Sequence, residues 1–302
     1  MHVRARATAL DRAIYSTVAY RDMFRFPVTA AEIHRYLHNV RCGEDEVRDA
    51  LSCSAFLDAN LESDGEFWCL KGRGESFAIR RERRALSEAQ WPTARRFARF
   101  LAMLPNVRMV AMTGSLAAGN FPKDGDIDFL LVTESGTLWR TRALCRFLAL
   151  LDDKLRRGLF CPNTFLSSAA LTLTRRTLYD AQELSQMIPL HGRAVYEAVR
   201  AANDWTAAWL PNAEGPPPNS VDLAALSPAL KRSGEWLLSS FAGRALEDFE
   251  ANRKIRRFNE TDHLKGAWTR STRESHSMWD GMRLRIEQAW SDRMSEIPDL
   301  ES

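Results

Sequence analysis

Asp126 and Asp128 stand two residues apart, and the apolar run 129–132 follows them directly. Side chains alternate between the two faces of a β-strand, so we expect both carboxylates to point to one face. Two acids side by side repel each other unless a cation lies between them. Mg²⁺ meets that need, because it binds through one or two carboxylates together with substrate phosphates. The pair therefore predicts a metal site that works on a phosphorylated substrate.

A Gly-Ser pair, Gly114 and Ser115, follows the apolar run 109–112 after one threonine, and ten residues separate it from Asp126. Glycine lets backbone N–H groups approach a phosphate closely, and the serine hydroxyl adds one more donor. We therefore expect a strand, a phosphate-binding turn and a second strand that carries the acids. A surface hairpin rich in aspartate is the alternative interpretation of the same residues.

The whole pattern is hydrophobic-Gly-Ser, a spacer of this length, and then Asp-hydrophobic-Asp-hydrophobic. Over residues 110–132 it resembles the nucleotidyltransferase superfamily named after DNA polymerase beta. The resemblance implies that Gly114 and Ser115 contact the triphosphate of an NTP, and that Asp126 and Asp128 hold Mg²⁺, or Mn²⁺ in its place. It also implies a third carboxylate on a later strand. The implied enzyme transfers an NMP from an NTP, with ATP expected, to an acceptor and releases pyrophosphate.

The third acid is missing from its expected place. The strand predicted after a helix at 137–157 offers Asn163 but no acid, and an amide can bind metal or nucleotide without acting as a base. Glu183 is the candidate third catalytic acid, although Asp180-x-x-Glu183 also has the form of a capping box. Asp152 and Asp153 at the helix end are further acids nearby. Two interpretations stay open: an enzyme, or a member that binds nucleotide without turnover.

Size and charge limit the class of protein. The 302 residues are 45% apolar, carry a net charge of +3 and hold five scattered cysteines without a Cys-x-x-Cys pair. We therefore expect a reduced, cytoplasmic protein. With no run of 18 apolar residues, we expect no membrane segment. The low net charge favours a small molecule or a protein side chain over a long polynucleotide as acceptor.

The first 74 residues predict a winged-helix-like unit: three helices, then two strands at 55–57 and 67–70 around a Ser-Asp-Gly turn. Its third helix begins Gly-Glu-Asp-Glu, and acids repel phosphates, so DNA contact is not favoured over a structural or protein-contacting role. A helix at 75–104 follows with seven arginines and an internal proline. Its basic face is either solvated or a wall that meets a triphosphate or a nucleic acid.

The predicted fold class is α/β (α+β), with a small nucleotidyltransferase core sheet between the winged-helix-like unit and a helical region. The predicted domains are 1–74, 75–175 and 176–302. After the helix at 137–157 we expect strands at 160–166 and 170–173, helices at 180–188 and 193–210, and a helical tail at 221–297. The tail has five expected inward residues: Trp236, Leu237, Phe241, Leu246 and Phe249. The alternative function is a nucleotide-binding regulatory or toxin–antitoxin-like module that contacts DNA or a protein through its first unit.

Overall fold

The computed structural model describes residues 7–154, 159–224, 227–265, 274–276 and 280–295, and its secondary structure is a mixture of helices and strands. A mixed β-sheet lies at the centre with helices on both faces, and a smaller helical unit with a hairpin precedes it. The predicted mixed α/β class is confirmed. No helix within these described ranges is long and apolar enough to cross a membrane.

The N-terminal unit is built from four helices and one hairpin. They are α1 (Ala9–Asp22), α2 (Ala30–Arg35), α3 (Glu44–Cys53), α4 (Ala55–Asn60), β1 (Leu61–Ser63) and β2 (Trp68–Leu70). Ile14, Ile33 and Leu57 are fully buried among these elements. The capping box predicted at Thr29 and Glu32 opens α2, as each side chain accepts the other's backbone N–H.

The strand predicted at 55–57 is wrong, because this segment is the helix α4. Ser54 caps that helix by accepting a hydrogen bond from the backbone N–H of Leu57. Leu57 is the buried residue of this short helix. The first strand of the hairpin therefore begins at residue 61. The predicted turn holds, since Asp64 accepts the N–H groups of Glu66 and Phe67.

The long helix α5 (Ser76–Met103) connects the N-terminal unit to the sheet, and Pro92 does not divide it. Four of its seven arginines contact the N-terminal unit. Arg80 pairs with Glu32 at 2.7 Å, and Arg83 donates to the Phe24 carbonyl at 2.9 Å. Arg81 and Arg84 pair with acids of the hairpin. These contacts give the arginine face of α5 a structural role.

Among the described residues the central sheet has five strands in the order β6-β3-β4-β5-β7. The strands are β3 (Val107–Met112), β4 (Ile127–Thr133), β5 (Phe160–Ser167), β6 (Ile188–His191) and β7 (Glu274–His276). β4 and β5 are parallel and are connected by α7 (Leu138–Lys154), whereas the other pairs are antiparallel. The short helix α6 (Gly114–Ala117) follows β3, so the predicted strand, Gly-Ser turn and strand are all present.

Side chains of β4 point alternately to the two faces of the sheet and so contribute to two separate hydrophobic cores. Ile127, Phe129 and Leu131 pack on the face covered by α5 and α7, whereas Leu130 and Val132 pack on the opposite face. That second face is covered by α8 (Leu178–Gln186) and α9 (Arg193–Ala202). Residues of even number along β4 therefore point towards α8.

The region 176–302 is not purely helical, which corrects the predicted architecture. Residues 188–191 form the edge strand β6, where Pro189 is tolerated because an edge needs fewer ladder donors. Residues 274–276 form the other edge, while 170–173 make one isolated bridge in place of a strand. The remaining helices are α10 (Thr206–Trp209), α11 (Pro228–Leu238), α12 (Phe241–Lys265) and α13 (Asp280–Ser295). The five residues of the tail expected to point inward are exposed: Trp236, Leu237, Phe241, Leu246 and Phe249.

Candidate active site

Two aspartates and one cysteine meet at the start of the central strands. Asp128 lies on β4 opposite Cys161 on β5, and Asp126 lies one residue before β4. One ligand atom from each of the three residues lies within 4.8 Å of the other two. Both acids continue the series Leu130 and Val132, so they point to the face that α8 covers. The strand period thus brings together the acids that the sequence predicted.

Gly114 fits closely against Asp128, and its position explains why glycine is needed. Its φ is +66°, in the left-handed region that disfavours side chains. A Cβ atom there would overlap Oδ2 of Asp128 and would lie 3.2 Å from its Cγ. The Thr113 backbone N–H also donates to the Asp128 carbonyl at 3.0 Å. The Gly-Ser turn is therefore held directly over Asp128.

Glu183 approaches the same place from α8. The capping box of α8 is formed by Thr177 and Asp180, not by Asp180 and Glu183, so the sequence assignment is corrected by one turn. Glu183 is consequently free of the cap. Its carboxylate accepts the Gln186 amide at 2.7 Å and lies close to the Gly114 backbone N–H. The sequence-predicted third acid therefore contacts the Gly-Ser turn.

Burial raises the pKa values of two carboxyls at this site, those of Asp128 and Glu183. Burial, followed by repulsion from Asp126, raises the pKa of Asp128 to about 7. Burial, followed by repulsion from Asp180, raises the pKa of Glu183 to about 7, although the nearby Arg21 charge and two hydrogen bonds oppose this. Burial and the two aspartates also raise the pKa of the Cys161 thiol. Negative charge is thus in excess here, and a cation would relieve it.

A cavity of about 230 Å³ opens beside these groups, and we call it the aspartate cavity. Its lining includes the Gly-Ser turn, Asp128, residues of α8 and the end of α1: Gly114, Ser115, Asp128, Tyr179, Gln182, Glu183, Tyr20 and Arg21. The Ser115 hydroxyl makes no hydrogen bond to any residue that the structure describes, so it can donate to a ligand. The cavity therefore offers acids, a free hydroxyl and one arginine to the same small volume.

Asn163, predicted to bind nucleotide, is not part of the aspartate cavity lining. Phe129 pairs with Pro162 and Leu130 with Thr164, so Asn163 is the extra residue of a bulge in β5. Cys161 takes the place opposite Asp128 instead. The sequence signal for Cys161 is its position on the strand after α7, where the family resemblance implies a carboxylate. The side chains of Asp152 and Asp153 lie outside the described residues.

The donor set of the cluster fits a divalent cation. Two carboxylates suit Mg²⁺ or Mn²⁺, while the thiol is a softer ligand that suits later first-row ions such as Co²⁺ and Zn²⁺. The crowding of Asp126, Asp128 and Cys161 is the observation that supports this fit, together with the raised pKa values of Asp128 and Cys161. The cluster is thus a plausible three-ligand side of a metal site.

Comparisons with protein-family models, with curated proteins and with solved structures found no match for this chain. The candidate site is therefore argued from its own geometry.

Proposed function

We propose that the chain is a metal-dependent nucleotidyltransferase, which moves an NMP from an NTP to an acceptor and releases pyrophosphate. One observation carries the proposal: Asp126, Asp128 and Cys161 form a three-ligand cluster directly under the Gly114-Ser115 turn. A phosphate-binding turn next to metal ligands suits phosphoryl chemistry, which depends on positioning and charge neutralisation. The strand–turn–strand order also supports a nucleotidyltransferase core, and ATP is the proposed NTP.

Each residue has a proposed role in the reaction. Ser115 donates its hydroxyl to a terminal phosphate, and Gly114 allows the turn to lie closely against Asp128. The acceptor oxygen attacks the α-phosphorus, the bond from that phosphorus to the bridging oxygen breaks, and pyrophosphate leaves. Glu183 lines the same cavity and can take the acceptor's proton. Asp126 and Asp128 bind the metal.

Mg²⁺ or Mn²⁺ is the proposed cofactor, with Cys161 as an additional ligand. When bound, the cation would neutralise charge that develops on the phosphates. Cys161 occupies the position where the family resemblance implies a carboxylate, and a thiol is a poor ligand for Mg²⁺. We therefore expect Mn²⁺ to support activity at least as well as Mg²⁺.

The second candidate is a nucleotide-binding module without turnover. It is favoured by the absence of a third acid from the cluster of Asp126, Asp128 and Cys161 among the described residues. In this case the winged-helix-like N-terminal unit would contact a protein partner, as part of a regulatory or toxin–antitoxin-like pair. DNA is not favoured, because the first turn of α3 carries Glu44, Asp45 and Glu46. A cytoplasmic location suits both candidates, since all five cysteines are free.

The test compares the chain with Asp128→Asn and with Asp124→Asn, an exposed acid of the same loop. Each protein is incubated with each NTP, Mn²⁺ or Mg²⁺ and a mixture of small-molecule acceptors, and pyrophosphate release is measured. We expect release by the unchanged chain and by Asp124→Asn, and a loss of at least about a hundredfold in Asp128→Asn. Tight NTP binding without any release would select the second candidate, and neither binding nor release would contradict both.

A further inference from the structure

A second cavity, of about 370 Å³, lies on the other side of Arg21, and we call it the arginine cavity. It is enclosed by α2, α5, the segment 116–119 after the Gly-Ser turn, and the segment 217–219. Arg21, Phe26, Ala118 and Gln186 line both cavities, so the two share a wall. The volume falls within the range that binds small molecules, about 300 to 1,000 Å³. The arginine cavity therefore extends the candidate active site.

Positive charge is in excess around this cavity. Four arginines and two glutamates line it: Arg21, Arg35, Arg80, Arg84, Glu32 and Glu88. Arg80 is neutralised by Glu32, and Arg84 by Glu66 outside the lining. Arg21 and Arg35 have no carboxylate partner among the residues that the structure describes. The two ion pairs leave Arg21, Arg35 and Glu88 of the lining, so one net positive charge remains around the cavity.

Arg21 is the more unusual of the two, because its side chain is buried. The residue is 5% exposed, yet its guanidinium donates to two neutral amide oxygens, Gln182 at 2.7 Å and Gln186 at 3.3 Å. Its Nε atom is buried without a hydrogen-bond partner. A buried cation is normally paired with an anion, because an unpaired buried charge destabilises the folded state. An anionic ligand would supply that partner.

Arg35 and three aromatic rings complete the environment. Arg35 donates to the backbone carbonyls of Glu214 and Gly215 at 3.1 and 2.9 Å, and its Nε is also unpartnered. The Arg21 guanidinium lies 4.6 Å from the centre of the Tyr36 ring. Phe26 and Trp91 form further parts of the wall. The lining therefore suits a molecule with one anionic group and one planar or apolar part.

We propose that the arginine cavity binds a small organic anion, a phosphate monoester or a carboxylate, and that this anion is the acceptor. Arg21 and Arg35 hold its anionic group, and the apolar part lies against Tyr36 and Trp91. Its identification as acceptor rests on the proposed function, because the reactive hydroxyl must reach past Ala118 to the aspartate cavity. The binding of an anion here rests on the charge and burial of the arginines alone.

The probe is phenyl phosphate, which combines a planar ring with a dianion, and benzoate serves as the carboxylate arm. Binding to the full chain is measured by calorimetry, with a non-hydrolysable NTP analogue and Mn²⁺ at saturation. Benzyl alcohol is the neutral control ligand. We expect phenyl phosphate to bind, benzyl alcohol not to bind, and benzoate to bind more weakly because it carries less charge.

Two variants test the arginines of the cavity, and a third serves as the control. Arg35→Gln and Arg21→Gln should each weaken phenyl phosphate binding by about tenfold or more, as expected for loss of a charge-assisted contact. Arg81→Gln changes an exposed arginine of α5 outside the cavity lining and should leave binding unchanged. Arg35 is only partly buried, so its variant keeps the test valid if Arg21→Gln fails to fold. NTP-analogue affinity should be the same in Arg35→Gln as in the unchanged chain.

Two results would overturn the inference. Absence of phenyl phosphate binding would remove the anion site, and displacement of phenyl phosphate by the NTP analogue would assign the cavity to the nucleotide instead. Failure of the proposed function is distinguishable from both. In that case phenyl phosphate binds in an Arg35-dependent way, but no acceptor with an anionic group stimulates pyrophosphate release. Stimulation by such acceptors, reduced in Arg35→Gln but not in Arg81→Gln, supports both proposals together.

Discussion

Replacing Glu183 by glutamine should make the stability of the folded chain fall less as the pH rises from 5 to 8. Glutamine keeps an oxygen that can accept the Gly114 N–H and the Gln186 amide, but it cannot ionise. The pKa of Glu183 is raised from 4.5 to about 7 in the folded chain, first by burial and then by Asp180. The folded state therefore binds this proton more tightly than the unfolded state does.

The sign and size of the effect follow from proton linkage. Below about pH 4.5 the carboxyl is protonated in both states and its stabilisation is fully present; this stabilisation is lost as the pH rises through about 7. Between pH 5 and pH 8 the loss is about 2 kcal/mol for a shift of this size. For a chain of this length that corresponds to about 4 °C in the unfolding midpoint. Glu183→Gln removes this part of the pH dependence.

The assay is thermal unfolding by circular dichroism at pH 5 and pH 8, in EDTA so that no metal binds the acids. The midpoint of the unchanged chain should fall between these pH values by about 4 °C more than that of Glu183→Gln. Glu197→Gln, at an exposed position of α9, should behave as the unchanged chain does. Equal falls in the unchanged chain and in Glu183→Gln would refute the buried, protonated state of this carboxyl.

Two further predictions concern the cluster under the Gly-Ser turn. Gly114→Ala should lose metal affinity because its Cβ displaces Asp128, whereas Gly136→Ala, at a φ of +70° with open space around it, should show about 1 to 2 kcal/mol of backbone strain in urea unfolding with metal affinity unchanged. Equal metal affinity in both variants would contradict the close packing. Co²⁺ should give a near-ultraviolet thiolate charge-transfer band that Cys161→Ser abolishes and Cys53→Ser, at an exposed position, retains; a band that survives in Cys161→Ser would exclude the thiol as a ligand.

Local sequence patterns were sufficient to predict half of the candidate site, namely the Gly-Ser turn and the two aspartates. The antiparallel pairing of β3 and β4 connects neighbouring segments, so alternating apolar residues predicted both strands and the shared face of Asp126 and Asp128. The Gly-Ser turn follows from the same pattern. These features depend on residues close in the chain, where the strand period is the governing physical constraint.

The other half depends on long-range packing and could not be read from local patterns. Cys161 reaches Asp128 through parallel pairing across the α7 connection, and a bulge then shifts Asn163 out of register. Thr177 and Asp180 form the capping box of α8, one turn earlier than the sequence indicated. Asp180 is therefore used in the cap, and the Glu183 side chain is left to face the cavity. The sequence predicted a helix that ends at residue 188 and a break before the next helix, but residues 188–191 form β6, an edge strand that accommodates Pro189.

The N-terminal unit takes part in the site, and this bears on its role. Arg21 at the end of α1 connects to Gln182 and Gln186 of α8, and Gln182 also contacts the buried ring of His38 at 3.2 Å. Burial, followed by the Arg21 charge, lowers the pKa of His38 to about 3, so the ring stays neutral and adds no second cation there. Because Arg21 lines both cavities, a rearrangement of this unit would move the wall that they share. A partner that binds the N-terminal unit would therefore act on ligand binding directly.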